Sequence, residues 1–215
     1  QSIDISSNSL LFRLCVLGSF WFICKTLGDP VLTFIGLRTK FQGRFLFAAG
    51  IGMGFLSLSM LALGIINLWN PPFLQKYFIF LLGISSIIFI SKHFEKNTVP
   101  AAAQSINERF NNRLGSTGFE LFLAVLVMFS VVIAMLTTSA PEIFYDSLVY
   151  HLALPKLYLL NSKIIPTPHN IFSGAPQMVQ MLYGLMLSIS NEHMTSLLHL
   201  SLGIGTIVGL ILISL

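Results

Sequence analysis

The chain has 215 residues, of which 54% are hydrophobic and only 9% charged, and nineteen are Phe; its mean hydropathy is +0.82. Soluble domains carry about a quarter charged residues, so a soluble fold of this size could not cover so much apolar side chain. Disorder is excluded by the same aromatic and branched apolar content. An all-α, polytopic integral membrane protein remains. The net charge of +4 comes from twelve Lys and Arg against eight Asp and Glu. These basic residues lie between apolar runs, where they orient a chain in a bilayer, and no nucleic-acid partner is expected.

A bilayer core of about 30 Å needs about 20 apolar residues of helix, and the apolar runs predict about six spans. The first is Leu10–Leu27, with Val31–Leu37 after it read as part of a loop. The second, Phe45–Leu68, is closed by Asn70-Pro71-Pro72, and the third is Phe73–Ile90. A polar segment, Ser91–Gly118, reads as a loop with some helix. The fourth span, Phe119–Leu136, ends at Thr137-Thr138-Ser139-Ala140-Pro141. After a mixed segment, Glu142–Gln177, come a short fifth span, Met178–Ile189, which must borrow from its flanks to cross, and a sixth, Leu197–Leu215. The pattern divides into a three-helix N-terminal extension (1–92), a cytoplasmic linker (93–118) and a second membrane module (119–215) with an amphipathic loop at 140–177.

Cys15 and Cys24 are about 13 Å apart along a helix, too far for a disulfide. Gly50, Gly52 and Gly54 fall within a span, where they permit close helix packing. No internal repeat and no cleavable signal is visible. With Gln1 at one end and Leu215 inside an apolar run at the other, a longer parent chain is expected.

Lys25, Arg38, Lys40, Arg44, Lys92, Lys96, Arg109 and Arg113 gather on one side of the alternating loops, against Arg13, Lys76, Lys156 and Lys163 on the other. The positive-inside rule puts the first group in the cytoplasm, and the N-terminus and loop 140–177 outside it.

That loop collects Glu142, Asp146, His151 and His169. Asp146 follows the fourth span closely, and the apolar and Tyr residues from Asp146 to Leu160 suit a helix lying in the interface. On such a helix Tyr145, Asp146 and Tyr150 share a face, and Pro155 kinks or ends it. Pro166, Pro168 and Pro176, with His169, Asn170 and Ser173, form a polar turn region. Asp146 reads equally as a helix N-cap and as a general base. His151 reads as a hydrogen-bonded interfacial histidine or a base, and Lys156 and Lys163 as interfacial lysines or phosphate contacts. His169, His193 and His199 lack a metal-ligand spacing, so no metal site is expected.

The string Tyr145-Asp146-Ser147-Leu148-Val149-Tyr150-His151-Leu152-Ala153-Leu154-Pro155-Lys156-Leu157-Tyr158, followed by Pro168-His169-Asn170, Phe172-Ser173, Pro176-Gln177 and Met181-Leu182-Tyr183, resembles the first extracytoplasmic loop of the family 39 membrane glycosyltransferases. These GT-C-fold enzymes include protein O-mannosyltransferases and bacterial aminoarabinose–lipid A transferases. The resemblance covers roughly 119–215, and Ser147 stands where many members have a second acid. It implies sugar transfer from a polyprenyl-phosphate donor to an acceptor lipid, glycan or protein on the extracytoplasmic face of a bacterial inner membrane. It also implies that Asp146 is the base that activates or orients the acceptor. Tyr145, Tyr150, His151, Lys156, Lys163, His169 and Asn170 would line the donor or acceptor site. No cofactor is expected beyond the lipid-linked sugar phosphate, and the sequence leaves a divalent metal open. Two non-enzymatic readings stand beside it, a transporter or flippase for a lipid-linked glycan and a structural assembly subunit. A transporter places ionisable residues near mid-membrane, whereas here the polar cluster lies outside the spans.

Overall fold

The computed structural model describes residues 9–36, 43–94, 118–138, 140, 143–174 and 177–214. The expected linker, 93–118, lies almost wholly outside these residues. The elements are α1 (Leu10–Phe34), α2 (Arg44–Ile65), α3 (Pro71–Phe94), α4 (Gly118–Thr137), a π-helical turn (Ser147–His151), α5 (Ala153–Asn161), a 3-10 turn (Ile171–Gly174), α6 (Met178–Ile189) and α7 (Glu192–Ser214). Among the described residues there is no strand.

Ser9 caps α1 by accepting the Phe12 N–H at 3.2 Å. The helix does not stop at Leu27 as its sequence predicts, but continues through Pro30 to Phe34, so Val31 to Phe34 are helix and not loop. Pro30 removes one helical hydrogen bond. Arg44 clamps this turn from α2: its Nε donates to Asp29 Oδ1 at 2.9 Å and its Nη2 to Thr33 Oγ1 at 3.0 Å. An Arg counted from sequence as a loop charge is therefore half of an ion pair between helices. Cys15 and Cys24 are free thiols, Cys15 exposed and Cys24 buried.

Helices α1 and α2 meet through small residues. A Cβ on Gly52 would overlap the Cys24 carbonyl, and one on Gly28 would overlap the Ala48 carbonyl. Residue 24 therefore faces 52 and residue 28 faces 48, the falling register of an antiparallel pair. Close backbone approach at small residues is how helices associate where lipid removes the usual hydrophobic drive. Of the three glycines at 50–54, Gly52 makes the crossing, whereas Gly50 faces open space.

Asn70 caps α3, its Oδ1 accepting the Phe73 N–H at 2.9 Å, with Pro71 at the first helical position, where its missing N–H costs nothing. Among the described residues four helices are long and apolar enough to cross a membrane: Leu10–Phe34, Arg44–Ile65, Pro71–Ser91 and Glu192–Leu212. The other two expected spans are shorter apolar helices, Leu121–Thr137 and Met178–Ile189. Twelve residues of α6 reach only about 18 Å, less than a bilayer core. This helix is a core element: Gln180 to Met186 and Ser188 are all buried. It is held by Ser57 Oγ donating to the Met178 carbonyl at 2.6 Å and by Gln75 Nε2 donating to the Ser188 carbonyl at 2.6 Å. One apolar core thus runs from Phe20 and Met60 through Trp69 to Leu185 and Leu198.

The α1–α2 crossing gives a first prediction. Gly52→Ala should lower the melting temperature in detergent, at an overpacking cost of about 1–3 kcal/mol or more, while Gly50→Ala should leave it unchanged or slightly raised. Fluorescence-detected size-exclusion after heating measures both. Equal melting of the two variants would refute the close crossing.

Candidate functional site

The segment after α4 does not form the single interfacial helix that its amphipathicity predicts. Residues 147–151 adopt a π turn, closed by the Leu152 N–H bonding the Ser147 carbonyl at 2.9 Å. Pro155 does not end this segment; it sits in the first turn of α5, where proline is tolerated. Leu152, Leu154 and Tyr158 are turned into protein and not toward a lipid surface. Tyr158 packs edge-on against Trp69, centroids 5.6 Å apart.

The π turn changes which residues share a face. At α spacing Asp146 would align with Tyr150. With hydrogen bonds five residues apart, Asp146 aligns instead with His151, whose ionisation its charge influences. Tyr150 is turned to stack on Phe172, centroids 4.5 Å apart, and lies against the His151 ring. Tyr145 and Asp146 are exposed. Asp146 makes no side-chain capping hydrogen bond, so its carboxylate is not occupied as an N-cap.

Beside Asp146 lies a cavity of about 460 Å³ between the end of α4, the π turn, α6 and α7. Its walls include Phe144, Ser147, His151, Tyr183, Thr195 and His199. Asp146 is not among its described lining residues; it is exposed and falls in the chain between two that are, Phe144 and Ser147. Among the lining side chains the Tyr183 hydroxyl lies 2.6 Å from His199 Nδ1, and the buried Gln180, which is not one of them, brings its Nε2 to 3.1 Å from His151 Nδ1. An amide nitrogen only donates, so His151 Nδ1 accepts and the neutral ring carries its proton on Nε2. Burial lowers the His151 pKa; the Asp146 carboxylate opposes that shift and the His199 ring adds to it. His193 Nδ1 donates to the Thr138 carbonyl at 3.1 Å, tying the end of α4 to α7.

The other residues expected in the site are not brought to the cavity. Lys156 is paired with Glu192 at the start of α7, so its ammonium already faces a carboxylate. Lys163 is exposed beyond the C-terminal end of α5, about 14 Å along that helix from its start. His169 is exposed on a turn. Asn170 is a brace: its Nδ2 donates to the Val149 carbonyl at 2.8 Å and its Oδ1 accepts the Phe172 N–H at 3.0 Å. Sequence reasoning did not single out Tyr183, Gln180, Thr195 or His199. A signal was present in Glu192, Thr195, Ser196 and His199, which fall at three- and four-residue spacing and draw a polar stripe along an otherwise apolar helix. Among the described residues no group of three or more His, Cys, Asp or Glu could hold a metal ion.

No protein-family model, curated protein or solved structure matches the chain.

These electrostatics predict a titration. His151 should titrate below the ordinary imidazole value of about 6.5, Asp146→Asn should move it lower, and His199→Phe should move it higher. The unfolded chain binds this proton more readily than the folded one, so the contribution to stability is complete above the unfolded value. It is lost as pH falls from there toward the folded pKa. Histidine-labelled NMR across pH 4–8 reads the shifts, and a His151 titration indifferent to both substitutions would remove the proposed proximity.

Proposed function

We propose that this chain is part of a membrane glycosyltransferase of the GT-C type, which transfers a sugar from a polyprenyl-phosphate donor to an acceptor on the extracytoplasmic side. The observation that carries the reading is Asp146: an exposed carboxylate with no capping bond, placed in the chain between Phe144 and Ser147, two residues that line a cavity. The resemblance of Tyr145 to Tyr158 to the first loop of family 39 enzymes supports the same role, and so does the count of basic residues, which puts this loop outside the cytoplasm.

In this reading the acceptor hydroxyl approaches Asp146, which takes its proton as the oxygen attacks the anomeric carbon. The donor's carbon–oxygen bond breaks and the polyprenyl phosphate leaves with the bonding pair. An exposed carboxylate suits the first part of this task, because water keeps it ionised and the acceptor can reach it. Neutralising the leaving phosphate requires cations other than Lys156, which is engaged with Glu192. Lys163 is the free basic side chain that the same loop offers among its described residues.

A second reading, translocation of a lipid-linked glycan, is favoured by one feature. His199 and the Tyr183 hydroxyl sit between α6 and α7, and ionisable groups within apolar helices often mark a transport path.

The test uses membranes containing the full-length protein and a labelled polyprenyl-phosphate sugar. Asp146→Asn should reduce transfer by about 10²–10⁴-fold, the usual worth of a general base, without loss of folded protein. Transfer at the wild-type rate in that variant would sink the base assignment. Donor flipping without transfer in either protein would move the conclusion to translocation.

A further inference from the structure

The character of the cavity behind Asp146 narrows what can enter it. No Lys, Arg, Asp or Glu is among its described lining residues. A charged ligand there would lose its hydration and meet no countercharge from those residues, a heavy penalty. One of its histidines, His151, is arranged as a donor. Gln180 donates to His151 Nδ1 and leaves the proton on Nε2, and the Tyr183 hydroxyl and His199 Nδ1 share a hydrogen bond of 2.6 Å.

The hydroxyls of the wall supply the opposite polarity. Thr137, Thr138 and Thr195 each donate to a carbonyl three residues earlier, at 2.8, 2.7 and 2.6 Å, and Ser196 to the Glu192 carbonyl at 3.3 Å. With their hydrogens committed to the backbone, these oxygens offer lone pairs to a ligand. Phe144, Ile143 and Leu200 add apolar surface. A fixed donor, fixed acceptors and an apolar wall match a ring that bears several hydroxyls and a hydrophobic face.

We propose that this cavity binds the uncharged ring of a hexopyranose, and that it disfavours both phosphate and amino sugars. The volume of about 460 Å³ admits one such ring with its exocyclic groups. The inference rests on the glycosyltransferase reading only for whether the ring belongs to donor or acceptor. A sugar held here lies beside Ser147, the chain neighbour of Asp146.

Saturation-transfer NMR on the full-length protein in nanodiscs tests it, with methyl glucopyranoside, methyl mannopyranoside and methyl galactopyranoside as neutral probes, and glucosamine and inorganic phosphate as charged ones. At least one neutral glycoside should receive saturation. Its signal should fall about tenfold in His199→Phe, which removes a ring nitrogen from the wall and leaves sugar hydroxyls unpaired. Because His199→Phe also breaks the bond to Tyr183 and could impair folding, Ala134→Phe is the second variant. It fills the cavity from α4 with every polar group intact, and it should abolish the signal. Asp146→Asn should retain binding whatever its effect on transfer, so failure of the base assignment and failure of this site are told apart. Displacement of the glycoside by polyprenyl-phosphate glucose assigns the ring to the donor, and persistence assigns it to the acceptor; either supports the site. Saturation that survives Ala134→Phe, a stronger signal from glucosamine or phosphate, loss of binding in Asp146→Asn, or no signal from any neutral glycoside overturns the proposal.

Discussion

The Trp69 indole joins the parts of this fold that local sequence alone would leave apart. It is fully buried, and its Nε1–H donates to the Met60 carbonyl at 2.7 Å, near the end of α2. A buried indole needs such a partner, since an unmet N–H would cost more than the bond contributes. The ring lies where a Cβ on Gly184 would stand 2.5 Å from it, so α6 must present a bare backbone at that point. On another side it meets Tyr158 of α5. The Trp69 backbone N–H reaches the Ser162 carbonyl at 3.0 Å, and the Ile164 N–H returns to the Gly64 carbonyl at 3.2 Å. One residue between two spans therefore fastens α2, α5 and α6 together. The segment containing Asp146 and His151 enters α5 directly, so the position of the site is set from the far end of that helix.

Site geometry then follows from one irregularity. An ordinary helix from Asp146 onward would bring the acid beside Tyr150 and leave His151 on another side. The π turn adds a residue to the repeat, so Tyr150 rotates onto Phe172 and His151 joins the wall of the cavity. Such turns recur at functional sites because they re-aim side chains at modest cost. Here Asn170 holds the turn by bonding the Val149 carbonyl inside it. A polar residue that looks like a ligand in the sequence is used to keep two others in place.

Much of the fold was legible because hydropathy reports on the solvent around a helix. Long apolar runs with exposed Phe, Leu and Ile, as on α2, α3 and α7, read as spans and are long enough to be spans. The signal fails where a helix is apolar for another reason. Met178–Ile189 is apolar because protein surrounds it, and hydropathy cannot separate protein from lipid; only its length could. The end of α1 misled in the opposite sense, its first apolar run stopping at Leu27 while the helix goes on through Pro30. Proline removes a hydrogen bond whatever its context, but whether the helix ends depends on what steadies the turn, here Arg44 from another helix. The site was half legible for a related reason. Asp146 and His151 lie in one loop, where chain proximity substitutes for spatial proximity. Tyr183 and His199 arrive from α6 and α7, and their meeting is a product of packing that no local pattern encodes.

In the reading we propose, the separation of charge in this region gives the site its chemical sense. A carboxylate that must accept a proton is best kept ionised, and exposure to water does that; placing it inside the cavity would raise its pKa and weaken the preference for the charged form. A pocket that must hold a neutral polyol has the reverse need, because a formal charge inside it would recruit water or ions that compete with the sugar. The fold meets both needs within a few residues of chain. Ser147 lines the cavity while Asp146, one position earlier, stays outside it. Lys156, the nearest cation along the chain, is held by Glu192, which keeps its charge from the cavity wall. The arrangement keeps the Asp146 carboxylate off the described lining, whose polar side chains are hydroxyls and imidazoles.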